Sequence, residues 1–309
     1  GGRDPSADGS GDPPVTPPHD SAAGRAYFQL QKQARADARP VQEVFQLYIL
    51  EAFLDRLSRS AYRDTLVLKG GVLLAAFGER RPTRDVDLQA HALSNSAEVV
   101  LKRTVEIVAI EIDDGVEFDT GSATAKVIRD QDAYAGVRVS MAATLLPAKH
   151  RFHVDVNVGD PIWPGPEDVR VPRLLGGEII VKGYPLEMVH SEKIVTAVAR
   201  GTVNTRWRDF MDVVRLAARH QVDGDTLVES VRDVAEHRGV ELAPLTTVLD
   251  GYASIGQQKW AAWRRRQQIE DRVPQTFADV VAEFISFADP VIAGDARGRR
   301  WDPRSRSWQ

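Results

Sequence analysis

The chain has 309 residues, a formal net charge of −4 and no cysteine. This length accommodates one large domain or two smaller ones, and the lack of cysteine excludes disulfides and thiolate metal sites and suits a reducing compartment. The charge excludes a uniformly basic nucleic-acid binder, so a polyanionic partner requires a local basic patch. We find no apolar run near the roughly 20 residues that span a bilayer and no signal sequence, and therefore expect a cytoplasmic protein without a membrane partner.

The first half of the chain changes from a polar arm to a mixed α/β pattern. Residues 1–23 are dense in Gly, Pro, Asp and Ser, and we predict a flexible arm because they cannot repay their ordering entropy. Apolar residues recur at helical spacing from Gln42 to Leu57, which predicts a helix. Short strands with helical stretches between them are predicted from Thr65 to Tyr184, which is typical of a mixed α/β domain. We therefore assign residues 24–185 to a core that begins with helices.

The second half of the chain is predicted to be helical. Helical periodicity runs from "LEMVHSEKIVTAVAR" through "RDFMDVVRLAARH" and "DTLVESVRDVAEHRG" to "TFADVVAEFISFA". We assign residues 186–292 to a helical domain and residues 293–309, which have no apolar period, to a basic tail. The predicted fold class is α/β, in the wider sense α+β, with a mixed-sheet core, an N-terminal helix and a C-terminal helical domain.

A first candidate site lies in "LVLKGGVLLAAFGERRPTRDVDLQA". The predicted strand at its start leads into Gly70 and Gly71, where the backbone can approach a ligand closely and the start of a helix offers free N–H groups to an anion such as phosphate. Thirteen residues separate Gly71 from Asp85, enough for a short helix and a turn. The strand that follows carries Asp85 and Asp87 on one face, because side chains alternate along a strand.

Two adjacent carboxylates indicate a cation. They repel each other unless a cation lies between them, and Mg²⁺ prefers one or two carboxylates together with substrate phosphates. Asp155 in "HRFHVDVNVG" adds a third carboxylate on another predicted strand, and such a set is typical of two-metal phosphoryl transfer, with ions about 3.5–4 Å apart. A D-x-D pair alone is common on solvated strand edges, so the glycines and Asp155 carry the interpretation. His153 is interpreted as a packed or hydrogen-bonded residue, outside the catalytic set.

Two predicted helices carry further candidates. Lys193 lies opposite the apolar stripe of its helix, and a solvated lysine is the alternative interpretation because most lysines are exposed. Asp209 and Asp212 are three residues apart and share a helix face. An ordinary surface ion pair between Arg208 and Asp212 is the alternative there.

The order of these motifs points to a family. The combination G-G-x13-D-x-D, preceded by Arg81 and Thr83, resembles the minimal nucleotidyltransferases of the DNA polymerase β superfamily. More narrowly, it resembles the AbiEii/AbiGii-type toxins, which include the mycobacterial MenT toxins. "YPLEMVHSEKIVTAVARG" is similar to the lysine-bearing helix of that family and "NTRWRDFMDVVRL" to its closing motif, so the resemblance covers about Thr65 to Leu216.

The resemblance implies a role for each matching residue. Several relatives have Ser where this chain has Gly71, so a hydroxyl contact from that position to phosphate is absent. The metal is expected to be Mg²⁺ or Mn²⁺. The implied roles are metal ligands for Asp85, Asp87 and Asp155, nucleotide binding for Gly70, Gly71 and Lys193, and catalysis for Asp85, Asp87, Lys193 and Asp209.

The resemblance also implies a metal-dependent nucleotidyltransferase toxin of a toxin–antitoxin system. Such an enzyme transfers NMP from NTP to the 3′ end of tRNA, blocks translation and growth, and has a cognate antitoxin protein as partner. The sequence leaves open the nucleotidylation of a protein or a small molecule. A non-catalytic module that binds RNA or a partner is a third possibility, against which the presence of all three aspartates and Lys193 argues.

The segment "KWAAWRRRQQ" is a candidate RNA-binding patch. Arginine with interleaved tryptophan can pair with phosphates and stack on unpaired bases, as a tRNA 3′ end requires. The alternative is a solvated basic helix. The arginines predicted to bind RNA are Arg264, Arg265 and Arg266, with Trp260 and Trp263 between the basic residues and with further arginines in the predicted tail at Arg297, Arg299, Arg300, Arg304 and Arg306.

Overall fold

The computed structural model describes residues 20–90, 96–129, 135–159 and 161–309. Its first two elements are helices. Most of the predicted arm lies outside the described residues, and its last residues already belong to α1 (Ala22–Ala36), whose N-cap is Ser21. The predicted helix over Gln42–Leu57 is confirmed as α2 (Val41–Arg59). Twelve of the 19 residues of α2 are buried, because the helix packs against the main sheet.

A seven-stranded mixed sheet forms the core, in the order β3-β4-β5-β2-β1-β7-β6. Two of its pairings, β2 with β5 and β1 with β7, are parallel, and the others are antiparallel. α4 (Ala97–Val108) packs against β3 and β4. The strands are β1 (Leu66–Lys69), β2 (Asp85–Ala90), β3 (Val116–Arg129), β4 (Ala135–Leu145), β5 (Ala148–Val158), β6 (Glu167–Pro172) and β7 (Glu178–Gly183).

The register of the central strands brings the predicted acidic residues together. Asp87 pairs with Asp155 across β2 and β5, and with Lys69 across β2 and β1. Val86 and Leu88, on the other face of β2, are buried, as the alternation predicted. Between β1 and β2, the chain forms α3 (Gly70–Leu73) and one turn of 3₁₀ helix, in place of one short apolar helix.

Helices make up most of the second half. α5 begins directly after β7 and packs against α7, while α10 packs against α6, α7 and α9. Phe210, Tyr252 and Phe277 form an aromatic cluster at the centre of this half, with ring centroids 5.4–5.9 Å apart. The helices are α5 (Leu186–Arg200), α6 (Trp207–Ala217), α7 (Gly224–Arg238), α8 (Leu245–Val248), α9 (Tyr252–Gln267) and α10 (Phe277–Ala293).

Residues 293–309, predicted as a tail, are folded. β8 (Val222–Asp223), β9 (Arg300–Asp302) and β10 (Ser307–Trp308) form a small antiparallel sheet. Trp301 is buried, and its indole N–H donates to the Ala217 carbonyl at 2.7 Å. The Trp308 indole N–H donates to the Phe287 carbonyl at 3.0 Å, so two tryptophans anchor a segment that has no apolar periodicity.

The predicted fold class, a mixed-sheet core with N-terminal helices and a helical second half, is confirmed. The boundary that we propose at residues 185 and 186 falls between β7 and α5. Within the described part of the chain, no helix is long and apolar enough to cross a membrane.

Candidate active site

A cavity of about 240 Å³ lies between the central strands and helices α5, α6 and α7. Five residues predicted from the sequence line it, whereas Asp85 and Asp155 lie beside it on β2 and β5. The charged side chains of the lining are five cations and three acids, a balance that favours an anionic ligand. The predicted residues of the lining are Gly70, Gly71, Asp87, Lys193 and Asp209, and the other charged ones are Lys69, Arg81, Glu192, Arg206 and Arg238.

The two glycines leave room for polar groups. Gly70 has a φ of +66°, and a Cβ there would lie 2.0 Å from Oδ2 of Asp87. Only glycine therefore lets the Asp87 carboxylate lie against this turn. A Cβ on Gly71 would lie 2.8 Å from Oγ1 of Thr83. The Thr83 hydroxyl thus lies close to the position where a serine at residue 71 would place its own.

The two aspartates of β2 have raised pKa values. Burial, followed by the charge of Asp155, raises the pKa of Asp87 to about 6. Burial also raises the pKa of Asp85, against the opposite effect of Arg138. His153, next to them on β5, has its pKa lowered by burial, and its Nδ1 lies 2.8 Å from Oγ of Ser140. His153 is a hydrogen-bonded residue, as the sequence indicated.

Arg138 on β4 lies between two of the predicted metal ligands. Its Nε and Nη2 donate to Asp155 Oδ1 at 2.7 Å and Oδ2 at 2.6 Å, and Nη2 also donates to Asp85 Oδ2 at 3.1 Å. In the part of the chain that the structure describes, no group of three or more Asp, Glu or His side chains is arranged to hold a metal ion. Sequence reasoning missed Arg138, although a charged residue between two valines on a predicted strand was a signal.

Lys193 is part of a buried ion-pair cluster. Its Nζ donates to Asp209 Oδ1 at 2.6 Å and to Asp212 Oδ2 at 2.9 Å, and its side chain is only 13% exposed. The solvated-lysine interpretation is therefore wrong. Asp212 also pairs with Arg81, whose Nε lies 3.2 Å from Oδ1. Burial lowers the pKa of Lys193, but the two aspartates outweigh this effect and raise it above its ordinary value.

A second cluster, missed by the sequence analysis, surrounds Glu192. Its Oε1 accepts from Lys69 Nζ at 2.8 Å and from Arg238 Nη2 at 3.1 Å. Burial raises the pKa of Glu192, but the charges of Lys69 and Arg238 lower it more, so the carboxylate is ionised. The position of Lys69 directly before the two glycines was the available signal. One carboxylate thus fixes two cations at the cavity wall.

The predicted RNA-binding arginines divide into two groups. Arg265 and Arg266 are exposed at the end of α9. Arg264 is buried, and its Nη2 donates to the carbonyls of Glu270 at 2.6 Å and Val273 at 3.4 Å. Trp260 is fully buried. The prediction is therefore wrong for Arg264 as a surface contact, because the helix turns that side chain inward beside Trp260.

Three comparisons relate this chain to known proteins. The family model described as "Nucleotidyl transferase AbiEii toxin, Type IV TA system" matches residues 52–302. No curated protein matches the chain. Among solved structures, JHP933 from Helicobacter pylori is 16% identical over 82% of this chain and 92% of its own, with a TM-score of 0.47. MenT4, a nucleotidyltransferase toxin from Mycobacterium tuberculosis, is 18% identical over 71% of this chain and 74% of its own, with a TM-score of 0.48.

Proposed function

Because the chain belongs to the AbiEii family of nucleotidyl transferase toxins of type IV toxin–antitoxin systems, we propose that it transfers a nucleoside monophosphate from an NTP to the 3′ end of tRNA. The observation that carries this proposal is the cavity, where Gly70, Asp87 and Lys193 face one space with an excess of cations. A nucleoside triphosphate is an anion of suitable charge. The proposed target places the reaction in the cytoplasm, with a cognate antitoxin protein as partner.

The triphosphate would bind at the glycine turn. Gly70 and Gly71 let the backbone approach phosphate closely. Lys193, from the opposite wall, would neutralise the charge that develops on the departing phosphates. Asp209 and Asp212 hold its ammonium group in place, so we assign Asp209 a role in catalysis through Lys193.

A divalent cation, Mg²⁺ or Mn²⁺, is expected from the family, and the chemistry of three carboxylates suits one, although no three acidic side chains of the described residues are arranged around a single ion. Asp85, Asp87 and Asp155 offer hard oxygen donors on two directly paired strands. The Arg138 guanidinium already neutralises two of these carboxylates, which supports a cation at this position. A bound ion would orient the triphosphate and lower the pKa of the attacking hydroxyl. Arg138 would have to release the carboxylates for an ion to bind.

The proposed reaction is a phosphoryl substitution. The acceptor hydroxyl forms a bond to the α-phosphorus, the bond from that phosphorus to the bridging oxygen of the β-phosphate breaks, and pyrophosphate leaves. The hydroxyl proton is released to solvent. Lys193 and the backbone of Gly70 and Gly71 hold the triphosphate during this step.

Labelled substrates test the proposal. The full chain is incubated with each α-phosphate-labelled NTP, total RNA and a cell lysate, and the labelled product is identified. We expect the label in tRNA. A label in protein or in a small molecule would replace tRNA as the acceptor, and no label with any NTP would favour a non-catalytic binding module.

A further inference from the structure

A second cavity, of about 160 Å³, shares Arg81 with the first. Four parts of the chain enclose it: the turn between α1 and α2, the loop before β2, helix α6, and the end of α9 with the turn that follows. We name it the arginine groove after the six arginines of its lining, which are Arg39, Arg80, Arg81, Arg208, Arg215 and Arg272.

The groove has an excess of positive charge. Four of its arginines pair with carboxylates: Arg39 with Glu43, Arg80 with Glu51, Arg81 with Asp212 and Arg215 with Glu79. The other two are exposed, and no acidic side chain of the described residues forms an ion pair with them. These two are Arg208 and Arg272.

Unpaired exposed arginines along a groove suit a chain of phosphates. A single anion would need one cluster of donors, whereas a polyanion can use cations that are spread along its path. Arg208 comes from α6 and Arg272 from the turn after α9. The groove therefore offers phosphate contacts from two different elements.

Trp263 gives the groove an aromatic wall. Its ring packs against Trp260 with centroids 4.9 Å apart and an interplanar angle of 30°. Trp260 is fully buried, so Trp263 is held in place. The Trp263 indole N–H is shielded from solvent and has no acceptor among the described residues. Arginine beside a fixed aromatic ring is the combination that binds unpaired bases.

The groove is connected to the candidate active site. Arg81 lines both cavities. Asp212, in the wall of the groove, forms an ion pair with Arg81 and accepts a hydrogen bond from Lys193, and Lys193 lines the first cavity. A strand in the groove would thus end close to the proposed triphosphate.

We infer that the arginine groove binds single-stranded RNA directly upstream of the 3′ hydroxyl that reacts, an inference that rests on the proposed function. Arg208 and Arg272 contact phosphates, and Trp263 stacks on a base. Arg264 contributes from inside the protein, because its hydrogen bonds to Glu270 and Val273 hold the turn that carries Arg272. Arg265 and Arg266 extend the path at the end of α9.

A salt titration with a matched control tests the groove. The probe is a 5′-fluorescein-labelled single-stranded RNA of about 12 nucleotides with a free 3′ hydroxyl, and its anisotropy is measured with the full chain. The test variant is R208Q/R272Q. The control is R170Q/R232Q, which removes two exposed arginines that line neither cavity.

We expect the test variant to bind the RNA at least about tenfold more weakly and to flatten the slope of log K against log[salt] by about 1.4, at about 0.7 per lost contact. The control should keep the wild-type affinity and slope. A wild-type slope in R208Q/R272Q, or an equal loss in the control, would overturn the assignment of the groove.

A nucleotide arm separates this inference from the proposed function. Mg²⁺ with NTP should raise the melting temperature of R208Q/R272Q by as much as that of wild type. If the variant lost this rise, the groove would be a nucleotide site and the inference would be overturned. If wild-type protein transfers no label to any RNA, the proposed function fails. RNA binding that still depends on Arg208 and Arg272 would then support the groove on its own.

Discussion

Arg138 donates two hydrogen bonds to the Asp155 carboxylate, from Nε to Oδ1 at 2.7 Å and from Nη2 to Oδ2 at 2.6 Å. The same Nη2 reaches Asp85. A fixed guanidinium thus neutralises two of the three carboxylates proposed as metal ligands. Any divalent cation that binds them has to compete with a cation that belongs to the protein.

The first prediction concerns this competition. Arg138→Gln should bind Mn²⁺ about tenfold more tightly than wild type, a difference of about 1.4 kcal/mol, because the guanidinium no longer competes. The same variant should melt at a lower temperature without metal, because Asp85 and Asp155 then repel each other. Free Mn²⁺ is measured by electron paramagnetic resonance and melting by calorimetry.

Arg151→Gln is the matched control, since Arg151 is an exposed arginine on the neighbouring strand β5. It should leave both the Mn²⁺ affinity and the melting temperature close to those of wild type. Weaker or unchanged Mn²⁺ binding by Arg138→Gln would mean that the guanidinium and the metal do not share these carboxylates.

The second prediction separates catalysis from stability at Lys193. Lys193→Gln should lower the transfer rate by at least about 100-fold, because charge on the departing phosphates is no longer neutralised. It should also lower the melting temperature, since Asp209 and Asp212 lose their shared cation. The double variant K193Q/D209N removes one of these carboxylates, so it should recover stability without recovering transfer. Transfer that returned together with stability would make Lys193 a structural residue only.

The third prediction concerns pH and His190. This side chain is fully buried, its ring nitrogens have no partner among the described residues, and burial lowers its pKa to about 3. Lys193 and His220 act in the same direction. Between pH 6.5, the ordinary value, and pH 3, the unfolded chain takes up a proton at this position and the folded protein does not. The free energy of unfolding therefore falls as the pH falls through this window.

Replacing His190 by Leu should remove this part of the pH dependence. Between about pH 7.5 and about pH 5.5, wild type should lose about 1.4 kcal/mol more stability than His190→Leu. Urea titrations at both pH values measure the difference. Equal losses in the two proteins would show that His190 takes up a proton in the folded state.

Local patterns predicted the parts of the site that depend on one strand or one helix. Alternation on β2 placed Asp85 and Asp87 on one face, and helical spacing placed Asp209 and Asp212 together. Arg138 could not be predicted as their neighbour, because its contact depends on the exact register between β4 and β5, which alternation along the strands fixes only to within steps of two residues. The same holds for Glu192, whose partners Lys69 and Arg238 lie far away in the chain.

Two predictions from the sequence were wrong, the surface position of Arg264 and the unfolded tail at residues 293–309, and residues visible in the sequence explain both. Trp260 and Arg264 are four residues apart on α9 and therefore share a helix face, so a buried Trp260 carries Arg264 inward. In the predicted tail, Trp301 and Trp308 pack on Phe287 with centroids 4.9 and 5.5 Å away. Two large aromatic side chains hold a segment that no periodic pattern would detect.

The central claim is that NMP is transferred at the carboxylates of β2. The most direct test of this claim is the transfer rate of variants that lack one of these carboxylates. Asp85→Asn and Asp87→Asn each remove one charge and almost no volume, and Asp64→Asn makes the same change at an exposed site. With α-phosphate-labelled NTP and tRNA, we expect both β2 variants to lose transfer by at least about 100-fold, while their far-ultraviolet circular dichroism and the rate of Asp64→Asn match wild type. Transfer at a near wild-type rate by either β2 variant would contradict the claim.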